Sequence, residues 1–298
     1  MSNDTALVIG ASGLVGQALV QSLALAKRRV VGTYAQHQGA GLEPLDITDG
    51  TRIRDCLNKH RPETIYLTAA LTHVDYCEEH PEDAWRRNVD APRQIAQEAA
   101  RIGAQLVFYS TEYVFDGTKG PYDEEASPAP LSVYGESKLA AERAIGESGA
   151  RHLIIRTTVV YGWRPGSKNF AMQIHERVKA GTVMTIPDDQ IGNPTLAEFL
   201  AETSVSLVDR KVTGIVNVVG RDLIARSDFA RALVRLYGGD VGRVLPVSTD
   251  SLKQRAARPL RGGLRVEKLE RLLGIKTPSL VECLRRLEAE RHANPYNL

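Results

Sequence analysis

Short apolar, β-branched runs alternate with amphipathic stretches through the first half of the chain. Residues 6–9, 29–33, 64–67, 105–110 and 152–156 have the length and composition of strands buried on both faces. Between them, residues 14–26, 53–59, 84–102 and 132–147 carry the apolar spacing of helices that cover one face. Strands separated by helices require right-handed crossovers, which lay strands parallel and cover both sheet faces. The predicted class is therefore α/β with a doubly wound parallel sheet. After Tyr161-Gly162 the alternation loosens, and Trp163-Arg164-Pro165-Gly166 reads as a crossing point. Strands at 183–186 and 215–219 and a last helix at 279–291 suggest a smaller mixed C-terminal domain. The expected division is 1–165 and 166–298, with 191–220 packing back onto the first domain. The length of 298 residues suits about two domains of roughly 150 residues each.

Composition narrows the class without naming a chemistry. Hydrophobic residues at 43% and charged residues at 25% fit a water-soluble globular chain, and a net charge of +2 makes no case for nucleic acid or membrane. No apolar run approaches the ~18 residues of a membrane span, and the chain enters its first strand without a signal-peptide pattern. A cytoplasmic protein without nucleic-acid or membrane partners is expected, and a homodimer is left open. Cys56, Cys77 and Cys283 lack paired metal or redox spacing, so reduced thiols and no metal site are expected.

The candidate chemistry starts at Gly10-Ala11-Ser12-Gly13-Leu14-Val15-Gly16, where a strand ends and a helix begins. Glycines at the first and fourth positions allow a tight turn and a close approach of pyrophosphate to backbone amides; the last lets the helix lie on the sheet. Gly10, Ser12, Gly13, Leu14, Val15 and Gly16 are thus candidate dinucleotide contacts of a Rossmann-type domain. The second strand ends in Gly32-Thr33-Tyr34-Ala35-Gln36-His37 with no acid to repel a 2′-phosphate. Tyr34 and His37 are therefore candidate contacts, and NADPH is favoured with NADH left open. Small residues after the third β-run, Thr68-Ala69-Ala70, leave room for the cofactor, with Ala69, Ala70 and Thr72 along its path. Thr111 stands at a strand's carboxyl end, where ligands bind in open α/β sheets. Tyr134 and Lys138 lie one helical turn apart, so an ammonium can sit near a phenol and lower its pKa, making it a usable acid or base. That pair alone is a weak signal in a chain with ten tyrosines.

The glycine spacing together with Leu71-Thr72-His73-Val74-Asp75, Ser110-Thr111-Glu112-Tyr113-Val114-Phe115, Val133-Tyr134-Gly135-Glu136-Ser137-Lys138, Asn169-Phe170, Asp189-Gln190-Ile191-Gly192-Asn193-Pro194-Thr195 and Arg258-Pro259 resembles the dTDP-4-dehydrorhamnose reductase branch of the extended short-chain dehydrogenase/reductases. The resemblance runs from the glycine loop nearly to the C-terminus. It implies a catalytic trio of Thr111, Tyr134 and Lys138, with Asp46 and Ile47 at the adenine. A sugar-nucleotide substrate would then meet Val74, Tyr113, Val159, Asn169 and Arg258. The implied reaction is reduction of a nucleotide-linked 4-keto-6-deoxysugar. Three departures stand out. Glu112 replaces the branch's usual aspartate, Val159 its usual tryptophan, and Gly262-Gly263 its Asn-Ser before Leu264. A 4-ketoreductase for another deoxysugar therefore stays open. So does a non-catalytic NADP-binding protein resembling the regulatory β subunit of methionine adenosyltransferase.

Overall fold

The computed structural model describes residues 4–293; residues 1–3 and 294–298, the outer ends of the two expected domains, lie outside them. The first half runs β1 (Thr5–Ile9), α1 (Leu14–Leu25), β2 (Arg29–Tyr34), β3 (Glu43–Pro44), α2 (Gly50–His60), β4 (Thr64–Leu67), α3 (Val74–Glu79), α4 (Pro81–Trp85), α5 (Ala91–Ile102), β5 (Gln105–Thr111), α6 (Val133–Gly146) and β6 (His152–Thr157). The second half adds β7 (Val160–Tyr161), α7 (Phe170–Lys179), β8 (Met184–Pro187), β9 (Ile191–Gly192), β10 (Thr195–Leu196), α8 (Ala197–Asp209), β11 (Gly214–Asn217), β12 (Ile224–Ala225), α9 (Arg226–Leu236), β13 (Val244–Val247), α10 (Glu267–Leu273) and α11 (Leu280–Ala293).

Seven strands form one parallel sheet in the order β3-β2-β1-β4-β5-β6-β11. The chain winds outward from β1 in one direction and then, through β4, in the other. That reversal opens a crevice beyond the carboxyl ends of β1 and β4, where such sheets bind ligands. Alternation with period two sorts the strand residues onto two faces. Leu7, Ile9, Ile65, Leu67, Leu106, Phe108 and Ile154 pack with α2, α5 and α6. Ala6, Val8, Tyr66, Val107, Leu153 and Ile155 pack into a second core that continues through Leu200 and Phe199 to Phe170, Phe229, Leu233 and Leu287. The second core therefore spans both halves of the chain. β11 joins the sheet beside β6, and α8 lies against α1.

The 84–102 helix predicted from the sequence is not continuous. Pro92 has no amide to offer the carbonyl four residues back, and over Arg86–Asp90 the chain makes one wide turn in which Ala91 N–H bonds the Arg86 carbonyl. Asn88 is carried inward there, to 1% exposure. The strands expected at 183–186 and 215–219 form at Met184–Pro187 and Gly214–Asn217, because pairing with β13 and β6 sets their ends. An almost fully buried ion pair joins α6 to β6: Arg156 Nη2 lies 2.7 Å from Glu142 Oε2 and Arg156 Nε lies 3.0 Å from Oε1. No helix among the described residues is long and apolar enough to cross a membrane.

Candidate active site

The glycine loop is built by steric necessity. Gly10 turns the chain out of β1 at φ +90°, and Gly13 N–H closes the turn on the Gly10 carbonyl at 2.9 Å. A side chain at Gly16 would strike that carbonyl and bring its Cβ to 2.7 Å from Ala11 Cα, so α1 starts closer to the strand than any other residue permits. No side chain caps α1, whose N-cap is Gly13, so its first amides remain available to an anion. Gly13, Leu14, Val15 and Gly16 line a cavity of about 620 Å³ together with Ala70 and Thr72. Four buried hydroxyls of lining residues, those of Tyr109, Ser110, Thr157 and Thr158, have no hydrogen-bond partner among the described residues. An anion-ready helix end beside unspent hydroxyls fits a dinucleotide. Gly10 and Ala69 pack against each other beneath the loop. Ser12 and Tyr34 are half-buried and His37 is exposed, none of them on the cavity wall. Asp46 is exposed and accepts from Thr48, whereas Ile47 is buried in the core with Ile53 and Leu57.

On the same wall, β5 ends at Thr111, whose Oγ1 accepts from Tyr113 N–H at 3.2 Å and starts a short turn. Ser132 caps α6 by accepting from Gly135 N–H, which sets Tyr134 in its first turn and Lys138 one turn on, both facing inward. The Tyr134 hydroxyl is hydrogen-bonded to the Thr111 side chain, and its ring meets Tyr113 edge-on at 5.5 Å. Asn88 braces this arrangement: its amide donates to Ser137 Oγ at 3.2 Å and to the Leu71 carbonyl at 3.0 Å, and its oxygen accepts from Leu71 N–H. Nothing local in the sequence singles out Asn88; the wide turn before Pro92 brings it in.

The electrostatic expectation for the pair is corrected by burial. Burial holds the Tyr134 phenol above its ordinary range, the Thr111 hydrogen bond only partly offsetting it. Burial likewise pushes Lys138 down to about 7, opposed by Glu142 one turn away. Lys138 Nζ sits 3.9 Å from the Phe108 ring centroid. Desolvation is the largest effect on both groups, and the phenol keeps its proton at neutral pH.

Val74, Tyr113, Val159 and Asn169 all line the cavity. Val159 holds φ +40°, a strained conformation for a β-branched residue. Arg258 behaves differently from its expectation. Both its terminal nitrogens lie 2.8 Å from the Asp75 carboxylate and one also donates to the Ala256 carbonyl, while its neighbour Pro259 reaches the cavity. The guanidinium beside Asp75 holds that carboxyl below the usual range.

The cavity residues outside the sequence-based candidate set include Glu112, Lys168, Gln190 and Arg226. Glu112 accepts from Gly263 N–H at 2.6 Å, and burial raises its carboxyl. A Cβ at position 262 would lie 2.5 Å from Glu112 Oε2. The longer acid thus occupies space that the glycine leaves, which ties two of the three departures into one contact. The thiols of Cys56, Cys77 and Cys283 are unpaired, each pushed up to about 11 mainly by burial. Among the described residues no three His, Cys, Asp or Glu side chains gather as a metal site.

With this geometry in view, the comparisons with known proteins agree. Residues 4–291 match the family model described as RmlD substrate binding domain. A Haloferax volcanii protein named "Probable low-salt glycan biosynthesis reductase" is 34% identical over 291 residues, 95% of this chain and 97% of that one. The methionine adenosyltransferase 2 subunit beta of Bos taurus is 30% identical over 284 residues, covering 93% and 85%. Among solved structures, a dTDP-4-dehydrorhamnose reductase from Bacillus anthracis in complex with NADP superposes with a TM-score of 0.89 at 30% identity, over 96% of this chain and 99% of that one. The chain belongs to the RmlD substrate binding domain family.

Proposed function

We propose that this chain is an NADPH-dependent reductase of a nucleotide-linked 4-keto-6-deoxysugar, with dTDP-4-dehydrorhamnose the simplest substrate. The observation that carries the reading is the convergence of the uncapped α1 loop with Thr111, Tyr134 and Lys138 on one cavity. NADPH bound along Gly13 to Gly16 would supply the hydride. Tyr134, protonated at neutral pH because it is buried, donates its proton to the carbonyl oxygen as negative charge develops there. Thr111, already hydrogen-bonded to Tyr134, holds that oxygen in line and limits the search for a reactive orientation. Lys138 opposes the charge left on the phenolate, within a site whose low polarity makes that opposition stronger than in water. A retained proton suits reduction better than alcohol oxidation, which would need the phenolate first.

Incubation with NADPH and the dTDP-4-keto-6-deoxysugar, supplied in both C5 forms, should oxidise the cofactor and release a reduced sugar. Tyr134→Phe should lose turnover by at least about 100-fold while binding NADPH as before; full activity in that variant would overturn the reading. Val159, in place of the branch's tryptophan, favours a different deoxysugar as second reading, because a missing indole removes a stacking surface. Faster turnover of another 4-keto sugar in a panel would establish it. Tight NADP binding with no turnover across the panel would point instead to the regulatory role of the methionine adenosyltransferase β subunits.

A further inference from the structure

Three cations line the cavity: Lys138, Lys168 and Arg226. Lys138 belongs to the catalytic pair, and Lys168 is solvent-exposed. Arg226 is neither. It is the first residue of α9, fixed there because β12 pairs with β9 and Arg226 N–H bonds the Gln190 carbonyl at 2.9 Å. Its guanidinium lies over the Phe170 ring, 4.5 Å from the centroid, and has no hydrogen-bonded or ion-paired carboxylate among the described residues. Its neighbours are already engaged. Gln190 donates to Thr249, the Asn169 amide donates to Gly162 and Ser167, and Glu112 is held by Gly263.

A guanidinium stays charged at any physiological pH, and this half-buried one gives up part of its hydration with no carboxylate bonded in its place. Burial accordingly lowers the Arg226 pKa, with Tyr113 and Glu112 only partly offsetting it. The Phe170 ring offers no oxygen or nitrogen acceptor, so the guanidinium's N–H donors stay available for a planar or tetrahedral oxyanion. Arg258, the cation the sequence suggests for this duty, is already paired with the Asp75 carboxylate, commits three of its five N–H donors to Asp75 and Ala256, and does not line the cavity.

We propose that Arg226 binds the diphosphate of the sugar-nucleotide substrate, while Arg258 serves as a strut between Asp75 and the loop that carries Pro259. The assignment rests on the reading of this cavity as a sugar-nucleotide site and deepens it. The substrate brings the anion that the cavity wall lacks, so recognition and neutralisation are one event.

The test is calorimetry on the protein saturated with NADP⁺, using dTDP, UDP, GDP and pyrophosphate as probes. Arg226→Gln should weaken the best-bound nucleoside diphosphate by about 10- to 100-fold and flatten its salt dependence, with NADP⁺ affinity unchanged. Arg226→Lys should recover part of the loss, since it restores charge without the fork. The nucleotide-free Arg226→Gln protein should melt at an equal or higher temperature, because a partly desolvated charge without a bonded carboxylate is gone. Where turnover is measured, KM for the keto sugar should rise with little change in kcat. Equal diphosphate affinity in wild type and Arg226→Gln would overturn the proposal, as would a larger loss in Arg258→Gln or a wild type that binds none of the probes. Arg226-dependent diphosphate binding without keto-sugar turnover would leave this assignment standing and remove the proposed reductase reaction. Turnover with Arg226-independent binding would do the reverse.

Discussion

At the scale of single residues, Lys138 shows how the site trades stability for chemistry. It is 2% exposed, and its folded pKa of about 7 lies well below the ordinary value of 10.5. Between these two values the unfolded chain holds a proton that the folded chain has released, so stability rises with pH across that window. Below pH 7 the ammonium must be kept charged in a dry place, and the unfavourable contribution is at its largest. Lys138→Met should therefore melt at a higher temperature than wild type at pH 6, with the gap shrinking toward pH 10, while turnover is lost. A variant that melts lower at pH 6 would contradict this account of the desolvated lysine. The same desolvation raises the Tyr134 phenol and lowers the Arg226 guanidinium.

At the scale of elements, the catalytic strand is coupled to a loop about 150 residues later in the chain. β5 runs into Glu112, and Glu112 holds the backbone of Gly263. The same loop pairs with the segment after β5: Gly120 N–H donates to the Arg261 carbonyl, Tyr122 N–H to the Gly263 carbonyl, and Arg261 N–H to the Gly117 carbonyl. Pro259, on this strap, faces the cavity. Gly262→Ala would push the Glu112 carboxylate off Gly263 and leave buried groups unsatisfied, a loss of about 1–3 kcal/mol. Glu112→Asp in the same chain should restore part of it, because the shorter acid withdraws from the new methyl group. A double-mutant cycle by urea unfolding measures the coupling; strictly additive losses would show that the two positions do not share this contact.

At the scale of the whole molecule, one apolar core takes residues from both halves of the chain. β11 is paired with β6, and α8 covers α1 together with the sheet face of Ala6, Val8, Leu153 and Ile155. Residues 1–165 alone would expose that face and an unpaired β6 edge. Such a fragment should lack a cooperative thermal transition and aggregate. A sharp melt near that of the full chain would mean that the halves fold independently.

The amino-acid sequence by itself determined what depends on neighbours along the chain. Period-two runs with helices between them predict a parallel sheet, and glycines at a strand-to-helix turn predict the α1 loop. Tyr134 and Lys138 share one face of α6 because i and i+4 positions do so in any helix. Contacts between segments distant in sequence carry no such local signal, and only the tertiary structure decided them. Arg258 and Arg226 look alike as letters, yet one finds Asp75 and the other finds Phe170 and a cavity. Asn88 reads as an ordinary helical residue until the turn before Pro92 carries it against Leu71 and Ser137. The sign of the Tyr134 shift likewise came from the fold. A nearby cation is visible in the sequence, but the exclusion of water that outweighs it depends on everything packed around the ring.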